Sequence, residues 1–332
     1  MRARVLSTIA VSLFACAALA GGSNYGVAPG TRTLSGKVSE FAVPTPKFAR
    51  DPAPGPDGNI YITVMHADRI ARFDTKTQKF NEWQLPSGAH PHGLLVDKQG
   101  RVWYTGNGNG TIGELDPATG KVRQYKTSWG GSPHTLVIDD AGTIWFTNQS
   151  GYLGRLDRDR DGNAAGKIVE YRMPGGPYGL ALDKQGNVWV CRMGDDKLGK
   201  LDPKTGQISE LDMGAGSRPR RIAAAPDGTL WVTLYGVGKL AHVDPAPAKL
   251  IRAYDMPAGP DGGPYAVTVD GAGRVFASEI ERDTVAMLDP KTEKFQVFQL
   301  PSKNVGIRKA IVDAQGRLWY MGSHNGRLGV IE

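Results

Sequence analysis

Short apolar runs separated by turn residues dominate this chain. A clear example is Gly93-Leu94-Leu95-Val96-Asp97, then the turn Lys98-Gln99-Gly100, then Val102-Trp103-Tyr104-Thr105 and Ile112-Gly113-Glu114-Leu115-Asp116. A second turn, Pro117-Ala118-Thr119-Gly120, leads into Val122-Arg123-Gln124-Tyr125. Brief β-rich runs bounded by Gly, Pro and Asp predict strands, and no helical period runs through them. The stretch therefore reads as four short strands joined by tight turns.

The same unit recurs. A turn glycine followed three residues later by an aromatic occurs at Gly58, Gly100, Gly142, Gly186, Gly228, Gly273 and Gly316, with spacings of 42, 42, 44, 42, 45 and 43. The matching aromatics are Tyr61, Trp103, Trp145, Trp189, Trp231, Phe276 and Trp319. Four strands per unit of this length is the pattern of a propeller blade, whereas ankyrin and tetratricopeptide repeats are shorter and helical. The expected fold is all-β, a seven-bladed propeller over residues 35–332. The last unit stops at its third strand, Leu328-Gly329-Val330-Ile331, while Lys37-Val38-Ser39-Glu40-Phe41 resembles a fourth strand. The N-terminal strand is expected to complete the last blade and so close the ring, leaving no free edge there.

Pseudo-symmetry then picks out the channel mouth. In each inner hairpin the start of the first strand lies beside the end of the second. The position eleven residues before the aromatic reads Arg50, His92, His134, Tyr178, Arg220, Tyr265 and Arg308. Positions about four after it read Met65, Asn107, Gln149, Met193, Tyr235, Ile280 and Ser323, with His66, Arg192, Glu279 and His324 adjacent. A purely structural repeat would place small or turn residues here, so the first ring points to a ligand or catalytic site. The plain alternative is a channel plugged by long polar side chains with water among them.

Composition refines this picture. Gly and Pro number 44 and 22, about a fifth of 332 residues, as suits a turn-rich chain. The hydrophobic share is 40%, enough for a core, and the +7 charge is spread among acidic residues. No concentrated basic face for nucleic acid is indicated. Arg2 and Arg4, the apolar stretch from Val5 and the Ala18-Leu19-Ala20 site read as an export signal over residues 1–20, with a flexible lead-in at 21–34. The product is expected in the periplasm or medium, as a monomer without a membrane span. Leu13-Phe14-Ala15-Cys16 is a weaker, lipoprotein-like alternative. After cleavage only Cys191 remains, which excludes an internal disulfide and reads as a small core residue.

Pro91-His92-Gly93, Gly176-Pro177-Tyr178-Gly179, Trp145-Phe146-Thr147 and Leu153-Gly154-Arg155-Leu156 resemble blades of the virginiamycin B lyase (streptogramin lyase) family. The resemblance covers residues 36 to 332. It implies a propeller that opens a cyclic depsipeptide by elimination across an ester, with Mg²⁺. The family's catalytic histidines sit in Pro-His motifs on neighbouring blades, matched here by Pro91-His92 and Pro133-His134. Where the family carries a glutamate four residues after the aromatic, this chain has Asn107 and Gln149, amides that cannot exchange protons, and the nearest ring-zone glutamate is Glu279.

The chemistry these residues allow is β-elimination. A base removes a proton next to a carbonyl, and positive charge holds the enolate. His92 or His134 suits the base, Arg220 or Arg308 the enolate or a carboxylate, and Tyr178 or Tyr265 the leaving oxygen. Arg50, Asn107, Gln149, Tyr235, Glu279 and Arg308 are expected to bind substrate. Three ring arginines favour an anionic small molecule or an oligosaccharide, which raises uronide (polysaccharide) elimination as an alternative. A propeller that binds an anionic ligand or a protein partner without turnover is the other. Asp157, Asp159 and Asp161 begin like a calcium loop, but Ile168 stands where the twelfth-position glutamate belongs, so a widened turn competes with a structural Ca²⁺ site. No zinc-ligand spacing occurs.

Overall fold

The computed structural model describes residues 27–158 and 164–332, so the leader at 1–20, Asp159 and Asp161 lie outside it. Among the described residues, 28 strands form seven antiparallel sheets of four. Each sheet follows chain order except the last. There Ile307–Val312, Leu318–Gly322 and Arg327–Ile331 are joined by Val38–Ala42 from the other end of the chain. Val38 pairs with Ile331 and Ala42 with Arg327, the closure expected from the pattern. Glu40 fastens it by accepting from Tyr320 Oη at 2.8 Å.

The core lies between blades, because both faces of every inner strand meet a neighbouring sheet. Tyr61 and Ile70 of the first blade pack with Leu94, Val96 and Tyr104 of the second, and equivalent clusters follow around the ring. The repeat's aspartate and tryptophan are one device. Trp103, Trp145, Trp189 and Trp319 donate Nε1–H to Asp97, Asp139, Asp183 and Asp313 at 2.7–3.0 Å. The same carboxylates accept backbone N–H groups of the tight turn, as Asp97 does from Gln99 and Arg101. The Gly in the third strand is also explained. A Cβ on Gly113 would lie 2.0 Å from Tyr104 Cζ, because the tyrosine ring lies flat over that backbone.

Residues 27–34 carry no strand, yet Val27 and Leu34 are buried. Gly30 N–H donates to Asp313 O at 2.8 Å, and Gly271 N–H to Gly30 O at 3.1 Å, on the face opposite the predicted ring. No helix among the described residues is long and apolar enough to cross a membrane.

Candidate functional site

One backbone irregularity builds the site. In every inner hairpin the register shifts at the ring residue: Pro91 pairs with Gly106, but the next pair is Leu94 with Tyr104. The same shift occurs between Ala49 and Pro52, Pro133 and Leu136, Pro177 and Leu180, Pro219 and Ile222, Pro264 and Val267, and Ile307 and Ala310. Two residues of the first strand thus oppose one of the second, a β-bulge that re-aims side chains. A hydroxyl on the second strand holds it. Thr105 Oγ1 accepts from Gly93 N–H at 2.7 Å and donates to His134 O of the next blade at 2.9 Å. Thr63, Thr147 and Thr233 do the same toward His92, Tyr178 and Tyr265. Cys191 occupies this place in the fourth blade, fully buried, with its thiol pushed up by burial.

The seven bulges bring the predicted ring together. Arg50 Nη2 lies 2.5 Å from His92 Nε2. The His92 and His134 rings are 3.8 Å apart, and His134 and Tyr178 3.9 Å. The Tyr178 and Tyr265 hydroxyls are hydrogen-bonded to each other across the channel. Arg220 donates to Tyr265 Oη at 3.2 Å and lies over the Tyr235 ring at 4.4 Å. Arg308 lies 5.2 Å over Tyr265 and donates to His324 Nε2 at 3.0 Å.

A second layer sits one residue further along the strands, and the sequence pattern did not single it out. Asp51, fully buried, faces Arg221 Nη2 at 3.5 Å and Lys309 Nζ at 4.0 Å. Arg221 also donates to Thr135 Oγ1 at 2.8 Å, and Lys309 to Leu94 O at 2.9 Å. Thr135, Arg221 and Lys309 line a channel cavity of about 30 Å³. Phe48 was likewise missed. It stacks on His66 at 4.8 Å and lies beneath Arg50 at 5.0 Å. Its signal is its place two residues before Arg50, where Phe48, His90, Arg218 and three glycines share positive φ.

This arrangement is strongly cationic. Arg50, Arg220, Arg221 and Arg308 each bury an Nε–H with no hydrogen-bond partner among the described residues, and buried donors in that state call for a ligand or water. Burial and the arginines, with His134 adding to the effect on His92, hold the two histidines well below the usual imidazole range, hence neutral. Burial pushes Tyr178 up. Burial opposes ionisation of Tyr265 too, but Arg221, Arg220, Arg50 and Arg308 outweigh it and bring that phenol down to about 8. Burial, with Arg221 adding and Asp51 opposing, brings Lys309 down to about 8.

Other predicted residues fall elsewhere. Tyr235 joins the ring through Arg220, and its ring centroid is 6.1 Å from that of Tyr265. Asn107 Nδ2 donates to Pro133 O at 3.0 Å, beside His134, while Gln149 is exposed. Glu279 is not presented to the ring. Its carboxylate accepts from Ala258 N–H at 2.6 Å and Thr284 Oγ1 at 2.8 Å. Arg192 turns outward in the same way, to Asp195 and Glu210. Asp157 pairs with Arg155 at 2.9 Å. No group of three or more His, Cys, Asp or Glu side chains converges among the described residues. Mg²⁺ needs oxygen ligands, and the ring's cations with a spent Glu279 do not fit it.

Fold and site together define a seven-bladed propeller with a buried cationic, tyrosine-bearing ring at the mouth of its channel. The model of the virginiamycin B lyase family matches residues 27–163 and 154–332, and the chain belongs to that family. Among solved structures, it is similar to a streptogramin B lyase, with 22% identity, a TM-score of 0.81, and coverage of 89% of this chain and 97% of the other. The selenomethionine form of virginiamycin B lyase from Staphylococcus aureus gives 20%, 0.80, 89% and 98%. A catalytically inactive variant of that enzyme with quinupristin gives 21%, 0.79, 89% and 98%. At these identities the likeness speaks for the fold. A search of curated protein sequences gave no match.

Proposed function

We propose that this chain is a carbon–oxygen lyase that binds a substrate carboxylate or acyl oxygen at the ring and eliminates across the adjacent C–O bond. The carrying observation is the convergence of Arg50, Arg220 and Arg308 on the ring with unpartnered Nε–H groups. Guanidinium forks suit a carboxylate and the enolate that develops from it, and with Arg50 buried and Arg220 and Arg308 half-buried they act with reduced solvent screening. His134 is the proton acceptor in this reading, because Arg50 already occupies His92 Nε2. Tyr178 donates toward the leaving oxygen. Export under a leader at residues 1–20 belongs to the same reading, and N-terminal sequencing of the mature protein checks it.

Asn107 engaged with Pro133 O, and Glu279 engaged with Ala258, favour a second reading in which the ring binds an anion without turnover. Mass-spectrometric turnover with a streptogramin B and a panel of uronic-acid oligosaccharides separates the two. A ring-opened depsipeptide formed without water, or an unsaturated uronide, lost in His134→Ala and Arg220→Ala, supports the lyase. Binding of the same compounds without conversion supports the second reading.

A further inference from the structure

Among the described residues, the ring's arginines outnumber the carboxylates near them. Asp51 lies in the layer below, between Arg221 and Lys309, and Glu281 stands at the rim beside Gly263 and near His324; among the described residues no carboxylate is hydrogen-bonded to the Tyr265 hydroxyl. The groups that do face Tyr265 are Arg50, Tyr178, Arg220, Arg221, Tyr235 and Arg308, drawn from four other blades. Its hydroxyl is held by Tyr178 Oη and by Arg220 Nη1 at 3.2 Å, so the oxygen sits in a nest of donors.

We propose that Tyr265 is an internal, titratable anion of this site: in alkaline solution its phenolate occupies the arginines when no ligand is bound, and an incoming oxyanion displaces that interaction with uptake of one proton by Tyr265. The inference rests on the reading that the ring binds anions, and it adds how that binding is regulated. Tyr178 keeps its proton and donates to the phenolate. When a ligand oxyanion takes the guanidinium donors, the phenolate loses its stabilisation and binds a solvent proton. No redox or covalent step is involved. The phenol's position at about 8 sets the range: below it the ring is open to ligand, and above it ligand and phenolate compete. Linkage then weakens oxyanion binding about tenfold for each pH unit above that range.

Lys309 also titrates near pH 8 and would take up a proton in the same sense. It hydrogen-bonds Leu94 O below the ring, so the two contributions are separable by substitution. The test uses sulfate, whose charge is constant from pH 7 to 10, with calorimetry in buffers of different ionisation enthalpy and ultraviolet difference spectra. The expected result is binding about tenfold weaker at pH 9 than at pH 7. At pH 9 sulfate should also bleach a tyrosinate band; both effects should persist in Lys309→Met, the band should be lost in Tyr265→Phe, and the pH dependence should vanish in Lys309→Met/Tyr265→Phe. Tyr178→Phe, which removes a donor to the phenolate, should move the transition to higher pH and guards against misfolding of a single variant. Equal affinity at both pH values in Lys309→Met, or a pH dependence of Lys309→Met that is retained in Lys309→Met/Tyr265→Phe, overturns the proposal and leaves anion binding standing. No sulfate binding at pH 7 overturns both.

Discussion

Arg50 Nη2 sits 2.5 Å from His92 Nε2, and this fixes the state of the imidazole. A guanidinium only donates, so Nε2 accepts and the proton is on Nδ1, which is buried without a partner. Protonating Nε2 would break that bond and set two cations in contact. His134, its ring tilted against that of His92 and surrounded by Arg221, Arg50 and Arg220, is held neutral by burial and those arginines.

The sign of the resulting pH dependence is definite. Both imidazoles titrate below their ordinary value of 6.5 in the folded chain, so in acid the unfolded chain binds protons that the folded chain refuses. Stability is therefore lost as pH falls below about 6.5, at about 1.4 kcal/mol per pH unit for each histidine. Urea unfolding between pH 7 and pH 5 should show this slope. It should flatten in His92→Gln/His134→Gln, and an unchanged slope in that variant would sink the assignment.

Thr105 links two blades through one hydroxyl, accepting from Gly93 and donating to His134 O. Thr105→Val keeps the shape and leaves a buried N–H and C=O unpaired. The expected cost is about 1–3 kcal/mol for each stranded group. Because the lost bond holds the His134 backbone, ring function should fall as well. Unfolding midpoints and sulfate affinity measured on the same preparation test both parts.

The period of the repeat made the seven ring positions legible, since each blade repeats the same bulge at the same offset. The layer beneath was not legible for a physical reason. Strand alternation sends consecutive residues to opposite faces, but a bulge lets Arg220 and Arg221, or Arg50 and Asp51, both serve the channel. Glu279 fails in the opposite sense. It is near the ring in sequence, yet three residues after the aromatic the side chain turns toward the outer turns, where Ala258 and Thr284 take its carboxylate. The Tyr178–Tyr265 contact joins residues 87 apart and depends on the channel's width, which no local pattern encodes.

Asp51 is the counter-charge that keeps the inner layer together, facing Arg221 at 3.5 Å and Lys309 at 4.0 Å. Asp51→Asn leaves two buried cations without it, and breaking such a pair typically costs about 3–5 kcal/mol. Adding Arg221→Met should recover a large part of that loss. If the double variant is as unstable as the two single losses summed, the residues are not coupled through this contact.

The ring's unpartnered guanidinium donors also predict a thermal shift. A ligand that binds only the folded state stabilises by RT ln(1 + [L]/Kd), about 2.7 kcal/mol at a hundredfold excess over Kd. Sulfate stabilises most proteins weakly by exclusion from their surface, and that part grows steadily with concentration. Binding at Arg220 and Arg308 adds a component that rises early, at millimolar sulfate, because those side chains bury donors that nothing among the described residues satisfies. Arg220→Met/Arg308→Met should keep the gradual component and lose the early one. The same variant should raise the Tyr265 transition from about 8 toward the ordinary phenol value, since two of the four cations that depress it are gone. Melting curves and tyrosinate titration on one pair of proteins thus probe the same charge cluster twice. An early shift that survives in the variant would place the anion elsewhere on the molecule.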